Sequence, residues 1–310
     1  MKVAIVGATG ETGRSVVDGL LHAETTYEIT ALVRPASLQK PATEKLKARG
    51  VEIVPADLQS ISHEQLVGIL KGIDVVVSTI FYQALDDEKT LAEAAKAAGV
   101  QRYVPCFWAT IAPRGVMNLR DKKEEILDHI LRLRLPYTVI DIGWWFQLTL
   151  PRVPSGKLDY ALIAPANSMF GNGDVPSALT DLRDVGTYVA KILDDPRTLN
   201  KKVFAFTELM TQRQIYDLVE KVTGEKPEIT TVSAEEIQAR CREGQAGIDQ
   251  AQAMYQYQNS WGLRGDNTPE NAKYLGYLLG DELYPGLKGR SLGVYIQEIL
   301  DGKGVKVFSG

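Results

Sequence analysis

Cysteine and histidine are scarce: only Cys106, Cys241, His22, His63 and His129 occur among 310 residues. Neither cysteine stands in a C-x-x-C or Cys/His spacing, so a zinc site and a disulfide framework are excluded, and no metal is expected. A reducing, cytoplasmic setting fits this usage. No apolar run approaches the roughly 20 residues of a spanning helix. The start at Met1 carries no cleavable apolar segment, so no membrane partner is expected. An excess of basic charge is missing too, since Lys+Arg 35 against Asp+Glu 39 gives net −4, which argues against nucleic-acid binding. What is present, 45% hydrophobic and 24% charged residues, describes a globular chain long enough for two domains that bind small molecules.

From residue 1 to about 150, short apolar runs alternate with helical-period segments, which is how a parallel sheet flanked by helices reads. The predicted strands are Val3–Val6, Glu28–Val33, Glu52–Pro55, Val75–Ile80, Tyr103–Pro105 and Tyr137–Ile142, with helices over Thr90–Ala98 and Asp121–Arg134 between them. Gly50, Gly72 and Gly99 each follow a helical stretch and precede a strand, as C-terminal caps do. The fold class is therefore α/β, a Rossmann-like doubly wound parallel sheet. After Gly143, prolines at 151, 154, 165 and 176 break the pattern. Residues 181–193 return to helical periodicity, and Lys202–Phe206 reads as a strand that can rejoin the sheet. The expected division is a dinucleotide-binding domain of residues 1–150 and 181–210, and a smaller α+β substrate domain of residues 151–180 and 211–310.

Gly7-Ala8-Thr9-Gly10-Glu11-Thr12-Gly13 follows the first strand directly and opens a helix with Val16, Val17, Leu20 and Leu21 on one face. Such a loop supplies a sharp turn, close backbone approach to a pyrophosphate, and first-turn N–H groups facing the anion. The G-x-x-G-x-x-G spacing is that of short-chain-dehydrogenase loops. Gly7, Thr9, Gly10, Glu11, Thr12 and Gly13 are the candidate phosphate-binding residues. Strand two ends in Arg34 rather than an acidic residue, and a guanidinium accepts a 2′-phosphate where a carboxylate repels it, so NADPH is favoured over NADH. Asp57, Ser78, Thr79, Ile80 and Phe107 stand at strand ends where cofactors lie. Asp57 can equally cap the helix after it.

Hydride transfer needs a proton donor or a cation. The one Tyr-x-x-x-Lys spacing, Tyr284 to Lys288, encloses Pro285 and Gly286 and cannot be helical. The histidines show no pattern of carboxylate partners. Lys123 shares the i, i+3, i+4, i+7 face of Ile126, Leu127 and Ile130, while Lys122 is rotated away by about 100°. On spacing alone, Lys123 is either a buried proton donor or a lysine snorkelling at a helix start.

Gly7–Gly13, Arg34, this lysine, Leu135-Pro136-Tyr137-Thr138, Asp181 to Gly186 and Asp195-Pro196-Arg197 together resemble the NmrA-like family. Within it, the isoflavone reductase-like branch, with its phenylcoumaran benzylic ether reductases, is the nearest match, and Gly143 to Gln147 looks like its fungal members. The resemblance covers roughly residues 1–220. It implies an NADPH-dependent reductase of aromatic, phenolic small molecules in which Lys123, also a cofactor contact, assists proton transfer. One departure stands out: Pro105-Cys106-Phe107-Trp108-Ala109 replaces the family's Pro-Ser-Glu-Phe-Gly. Tyr82, Trp108, Trp144, Trp145, Phe146 and Phe170 are the candidate substrate contacts, with core packing the competing role for about half of the aromatics in these segments. The alternatives are an NAD(P)-sensing regulator without catalysis and an NADPH quinone reductase. The chain is expected to act as a monomer or homodimer.

Overall fold

The computed structural model describes residues 1–242 and 250–307. Six parallel strands open the chain: β1 (Lys2–Val6), β2 (Glu28–Val33), β3 (Glu52–Pro55), β4 (Val75–Ser78), β5 (Arg102–Val104) and β6 (Thr138–Asp141). The first five form one sheet in the order β3-β2-β1-β4-β5. A parallel bridge between Tyr103 and Tyr137 continues it towards β6. Between the strands run α1 (Glu11–Leu21), α2 (Pro41–Ala48), α3 (His63–Leu70), α4 (Asp87–Ala98) and α5 (Asn118–Arg132). The strand interiors are mostly Val, Ile, Ala and Leu because both faces are covered. Val3 and Ile5 pack on one side, Ala4 and Val6 on the other. This is the doubly wound fold expected from the alternation, with β2 and β3 as expected and β4, β5 and β6 ending one or two residues before the apolar runs do.

The remaining strands are β7 (Trp144–Trp145), β8 (Ser168–Phe170), β9 (Ser177–Thr180), β10 (Lys201–Phe204), β11 (Glu208–Met210), β12 (Thr230–Val232) and β13 (Tyr277–Leu279). The later helices are α6 (Val185–Asp194), α7 (Gln212–Thr223), α8 (Ala234–Arg242), α9 (Gln250–Tyr257), α10 (Pro269–Tyr274), α11 (Gly280–Leu283) and α12 (Leu292–Leu300), with a wide π-turn over Gln258–Arg264. As expected, the strand near 202 rejoins the main body, pairing parallel with β6 from Lys201↔Thr138 to Phe204↔Asp141. Helix α6 crosses α1 so closely that a Cβ on Gly186 would stand 1.7 Å from the Ser15 carbonyl oxygen.

The expected second-domain stretch 211–310 does not run unbroken. β13 pairs parallel with β10, from Lys202↔Tyr277 to Phe204↔Leu279, so the chain returns to the first body near 277 instead of staying in a second domain to its end. A three-residue strand carries too little periodicity to be read from sequence. The second body has its own core, where Phe146, Leu158, Ile215, Val219, Ile237, Leu292, Ile296 and Ile299 meet. Its strand pairs are β8 with β12, and β9 with β7 and β11. Residues 243–249 and 308–310, assigned to this domain, lie outside the described residues. No helix among the described residues is long and apolar enough to cross a membrane, and none of the described His, Cys, Asp and Glu residues form a metal-binding group.

Candidate active site

The carboxyl ends of the parallel strands lie along one edge, and register alone places the candidates there. Val6 pairs with Leu32 and with Ser78, so Gly7, Val33 and Thr79 are level at the sheet edge and Arg34 follows one residue on. Gly7 turns at φ +82°, a left-handed conformation where a side chain is strained, and a Cβ there would stand 2.4 Å from the Thr79 carbonyl oxygen. Gly13 is pressed on the turn before it, with a Cβ position 2.2 Å from the Gly7 carbonyl oxygen. Gly10 starts α1 without a side-chain cap, and the first backbone bond into the helix is from Arg14 N–H to the Gly10 carbonyl, 2.8 Å. The N–H groups ahead of Arg14 thus have no acceptor within the helix and suit an anion. The Glu11 carboxylate, which would repel a phosphate, is paired with Arg14 at 2.5 Å. Thr9 and Thr12 remain partly accessible on the loop.

Arg34 is exposed and has no ion-pair partner among the described residues. A cleft of about 600 Å³ lined by Pro35, Ala56, Asp57 and Ile61 opens next to it. Asp57 does not cap α3. That helix is capped by Ser62 in a capping box with Gln65, while Asp57 accepts from Gln59 N–H at 3.2 Å and closes its own turn. Thr79 is anchored to the Val6 carbonyl through its hydroxyl at 2.8 Å. The Ile80 carbonyl takes the Cys106 thiol at 3.1 Å. Ser78 is fully buried, and its carbonyl accepts the Trp108 indole N–H at 2.7 Å.

Lys123 is buried on the inner face of α5, with 7% of its surface exposed. Its Nζ donates to the Phe107 carbonyl oxygen. Lys122 points outward to Asp86 at 2.6 Å, as the helical period requires. Burial depresses the Lys123 pKa below the ordinary lysine value. The positive Arg120 acts in the same direction, while Cys106, Asp141 and Glu88 oppose it. The turn it docks on is strained: Trp108, a bulky residue, sits at φ +35°. The Cys106 thiol is pushed up to about 12 by burial, against the pull of Lys123. The outer face of α5 carries a pairing not foreseen from spacing, His129 Nε2 to Glu93 at 3.0 Å.

The aromatic candidates divide. Trp144 lies 5.2 Å from the Tyr257 ring and 5.6 Å from the Trp261 ring, and Phe170 meets Trp261 edge-on at 5.4 Å. Trp145 donates its indole N–H to the Trp108 carbonyl at 3.2 Å. Tyr82 pairs with the exposed Phe81 at 4.5 Å. Phe146 is the correction: it is fully enclosed in the core of the second body, 6.0 Å from the Tyr295 ring. The extended backbone ends at Trp145 and Phe146 opens a 3₁₀ turn over Phe146–Leu148, so the run Trp144-Trp145-Phe146 does not present three rings to one cavity. Trp108 and Phe107, at 3% and 1% exposed, are also buried in the wall.

Several site residues were missed. Arg120 donates to Glu124 at 2.7 Å, to Asp141 at 2.8 Å and to the Tyr277 hydroxyl at 2.5 Å, with its guanidinium 4.7 Å from the Phe107 ring centre. The signal for Asp141 was a lone acidic residue in an apolar strand. Glu88, 1% exposed, accepts from Cys106 N–H at 2.9 Å and the Tyr103 hydroxyl at 3.2 Å. Burial raises its carboxyl pKa to about 7, against the hydrogen bonds from Cys106 and Tyr103 and the charge of Lys123. A carboxyl whose pKa is higher folded than unfolded stabilises the fold fully below its unfolded value, and this contribution is lost as pH rises through the folded value. Between about pH 4.5 and about pH 7 the wild type is therefore expected to lose up to roughly 3 kcal/mol that Glu88→Gln does not lose. Parallel denaturant titrations of the two proteins across this range check it.

A glycine cradle at the end of β1, a guanidinium at the end of β2 and a buried lysine beside β5 define a dinucleotide-binding protein of the Rossmann type. The chain belongs to the NmrA-like family, whose profile matches residues 1–278. It is 48% identical to asnovolin J 5',6'-dehydrogenase of Aspergillus novofumigatus, over 97% of this chain and 96% of that one. It is 28% identical to a phenylcoumaran benzylic ether reductase of Betula pendula, over 96% and 98%. Among solved structures, one determined with NADP+ and (+)-pinoresinol superposes with a TM-score of 0.79 at 26% identity, over 96% and 98%.

Proposed function

We propose that this chain is an NADPH-dependent oxidoreductase that reduces an aromatic small molecule, with Lys123 as the proton donor. The observation that carries the reading is the buried Lys123 ammonium at the same sheet edge as a cradle in which Gly7 and Gly13 leave no room for a side chain. Gly7, Gly10, Thr12 and Gly13 would hold the pyrophosphate, Arg34 the 2′-phosphate, and the partly accessible Asp57, Thr79 and Ile80 the cofactor's remaining flanks, with the buried Ser78 and Phe107 behind them. Bound NADPH supplies a hydride from its nicotinamide ring. Lys123 delivers a proton from Nζ to the substrate oxygen as negative charge develops there, and its depressed pKa makes that transfer easier than from an ordinary lysine. Trp108 closes the wall behind it.

The substrate would lie at the junction of the two bodies, where Tyr82, Trp144, Trp145 and Phe170 stand with Tyr257 and Trp261. Rings in this arrangement favour an aromatic guest in offset or edge contact. The buried Trp261 indole N–H has no acceptor among the described residues, and a polar group on the guest would satisfy it. The relatives named for benzylic ether reduction and the solved pinoresinol complex support this class. The 48%-identical relative, named a dehydrogenase, favours a second reading in which the same hydride exchange runs toward NADP+. Loss of NADPH absorbance with phenolic ethers, enones and quinones, and NADP+ reduction with saturated analogues, separates the two. No turnover in either direction, with cofactor bound, would point instead to a sensor.

A further inference from the structure

Glu88 and Lys123 grip neighbouring peptide units of one turn. Glu88 lies on the buried face of α4 with Leu91, Ala92 and Ala95, and its Oε1 takes the N–H of Cys106. Lys123, on α5, gives its ammonium to the carbonyl of the next residue, Phe107. The residue after that is the strained Trp108. At this depth neither peptide group has water to turn to, so the two side chains define where the turn sits.

Two carboxylates, Asp141 and Glu88, oppose the loss of charge at Lys123, and Glu88 is the one that also holds the turn on which the ammonium docks. Lys123 faces Cys106, Asp141 on β6, Arg120 on its own helix and Glu88 on α4. Tyr257 on α9 stands near Arg120, Asp141 and Cys106. Asp141 Oδ2 is taken by Arg120 and the Tyr277 hydroxyl, and Glu124 is taken by Arg120 and Lys202. Glu88 is faced by Ser78 on β4, Tyr103 on β5, Cys106 and Lys123, and Lys123 is the one cation in that set.

We propose that Glu88 is a positioning residue for proton transfer at Lys123: its carboxylate fixes the Cys106–Trp108 turn on which the ammonium docks and, with Asp141, supplies counter-charge that favours the protonated amine. The catalytic part rests on the reading of Lys123 as proton donor; the pairing itself does not. Because burial holds the Glu88 carboxyl near neutrality, rising pH ionises it and strengthens its hold on the lysine.

The test reads the lysine directly. In protein labelled with ¹⁵N-lysine, the Nζ shift of Lys123, assigned by its loss in Lys123→Met, is followed against pH in wild type, Glu88→Gln and Glu88→Asp. Glu88→Gln is expected to lower the Lys123 midpoint by about one pH unit, with Glu88→Asp recovering most of it. The alkaline limb of kcat/KM should move by the same amount, with KM for NADPH unchanged. A folded Glu88→Gln protein whose Lys123 midpoint stays in place overturns the proposal. Should Glu88→Gln fail to fold, Tyr103→Phe removes one donor from the carboxylate and keeps the charge. The Glu88 midpoint, read from its ¹³C carboxyl shift, and the lower-pH limb of kcat/KM should then both rise, and an unmoved Glu88 midpoint contradicts the account. A shifted lysine midpoint in protein that turns over nothing supports the pairing and counts against the reductase reading.

Discussion

Replacing Lys123 by Met is expected to lower kcat for NADPH-dependent turnover by about 10²- to 10⁴-fold, the range a positioned general acid supplies, while NADPH still binds. Met keeps most of the side-chain volume and removes the amine. The variant removes a buried charge but leaves the Phe107 carbonyl without its donor, so a stability loss of about 1–3 kcal/mol is expected, the cost of one unpaired buried acceptor. Lys123→Arg is not a rescue: a guanidinium does not release its proton at working pH, and its fork does not fit one carbonyl. In the wild type the donor is active while protonated, so kcat falls as pH rises through the Lys123 midpoint, below the ordinary lysine value. Steady-state kinetics across pH, with fluorescence titration of NADPH for each variant, check this. If Lys123→Met turns over at the wild-type rate, Lys123 has no part in the chemistry.

Gly13→Val carries the second large effect. The added Cβ would stand 2.2 Å from the Gly7 carbonyl oxygen and 2.7 Å from the Ala8 Cα, backbone atoms that cannot yield without separating α1 from β1. NADPH affinity is expected to fall roughly 100-fold or more, about 2.8 kcal/mol at 1.4 kcal/mol per decade, because the first-turn N–H groups no longer converge on the pyrophosphate. Stability should fall by about 1–3 kcal/mol as in other overpacked sites. Gly10→Ala would place its Cβ 3.3 Å from the same oxygen at an ordinary φ of −77°, and its melting temperature should stay near wild type. Calorimetric titration and thermal melts of both variants separate loop geometry from general damage.

Residues with a strong local period were legible from sequence. The β1 strand, the glycine loop and α1 follow from spacing, as does the choice of Lys123 over Lys122. The same logic applied to α4 picks out Glu88, which stands at i with Leu91, Ala92 and Ala95 at i+3, i+4 and i+7; the acidic run Asp86-Asp87-Glu88 masked it as an ordinary first turn. Arg120 and Glu124 read as a surface i, i+4 pair, and nothing local reveals that Asp141 and Tyr277 meet them in the core, since those contacts span 21 and 157 residues. β13 was invisible for a related reason: Tyr277–Leu279 gains strand character only from Lys202–Phe204 beside it. Phe146 was misplaced because composition cannot tell a ring lining a cleft from one filling a core.

Nucleotide binding by Arg34 variants tests the central claim most directly. Arg34 stands exposed beside the glycine loop with no ion-pair partner among the described residues, ready for a phosphate. Calorimetry on the wild type should show NADPH binding more tightly than NADH, and Arg34→Ser should weaken NADPH by about 10- to 100-fold, the loss of one bidentate phosphate contact of roughly 1.5–3 kcal/mol, with NADH unchanged. Equal binding of both nucleotides by wild type and Arg34→Ser would contradict the cofactor assignment, and binding of neither would contradict the whole account.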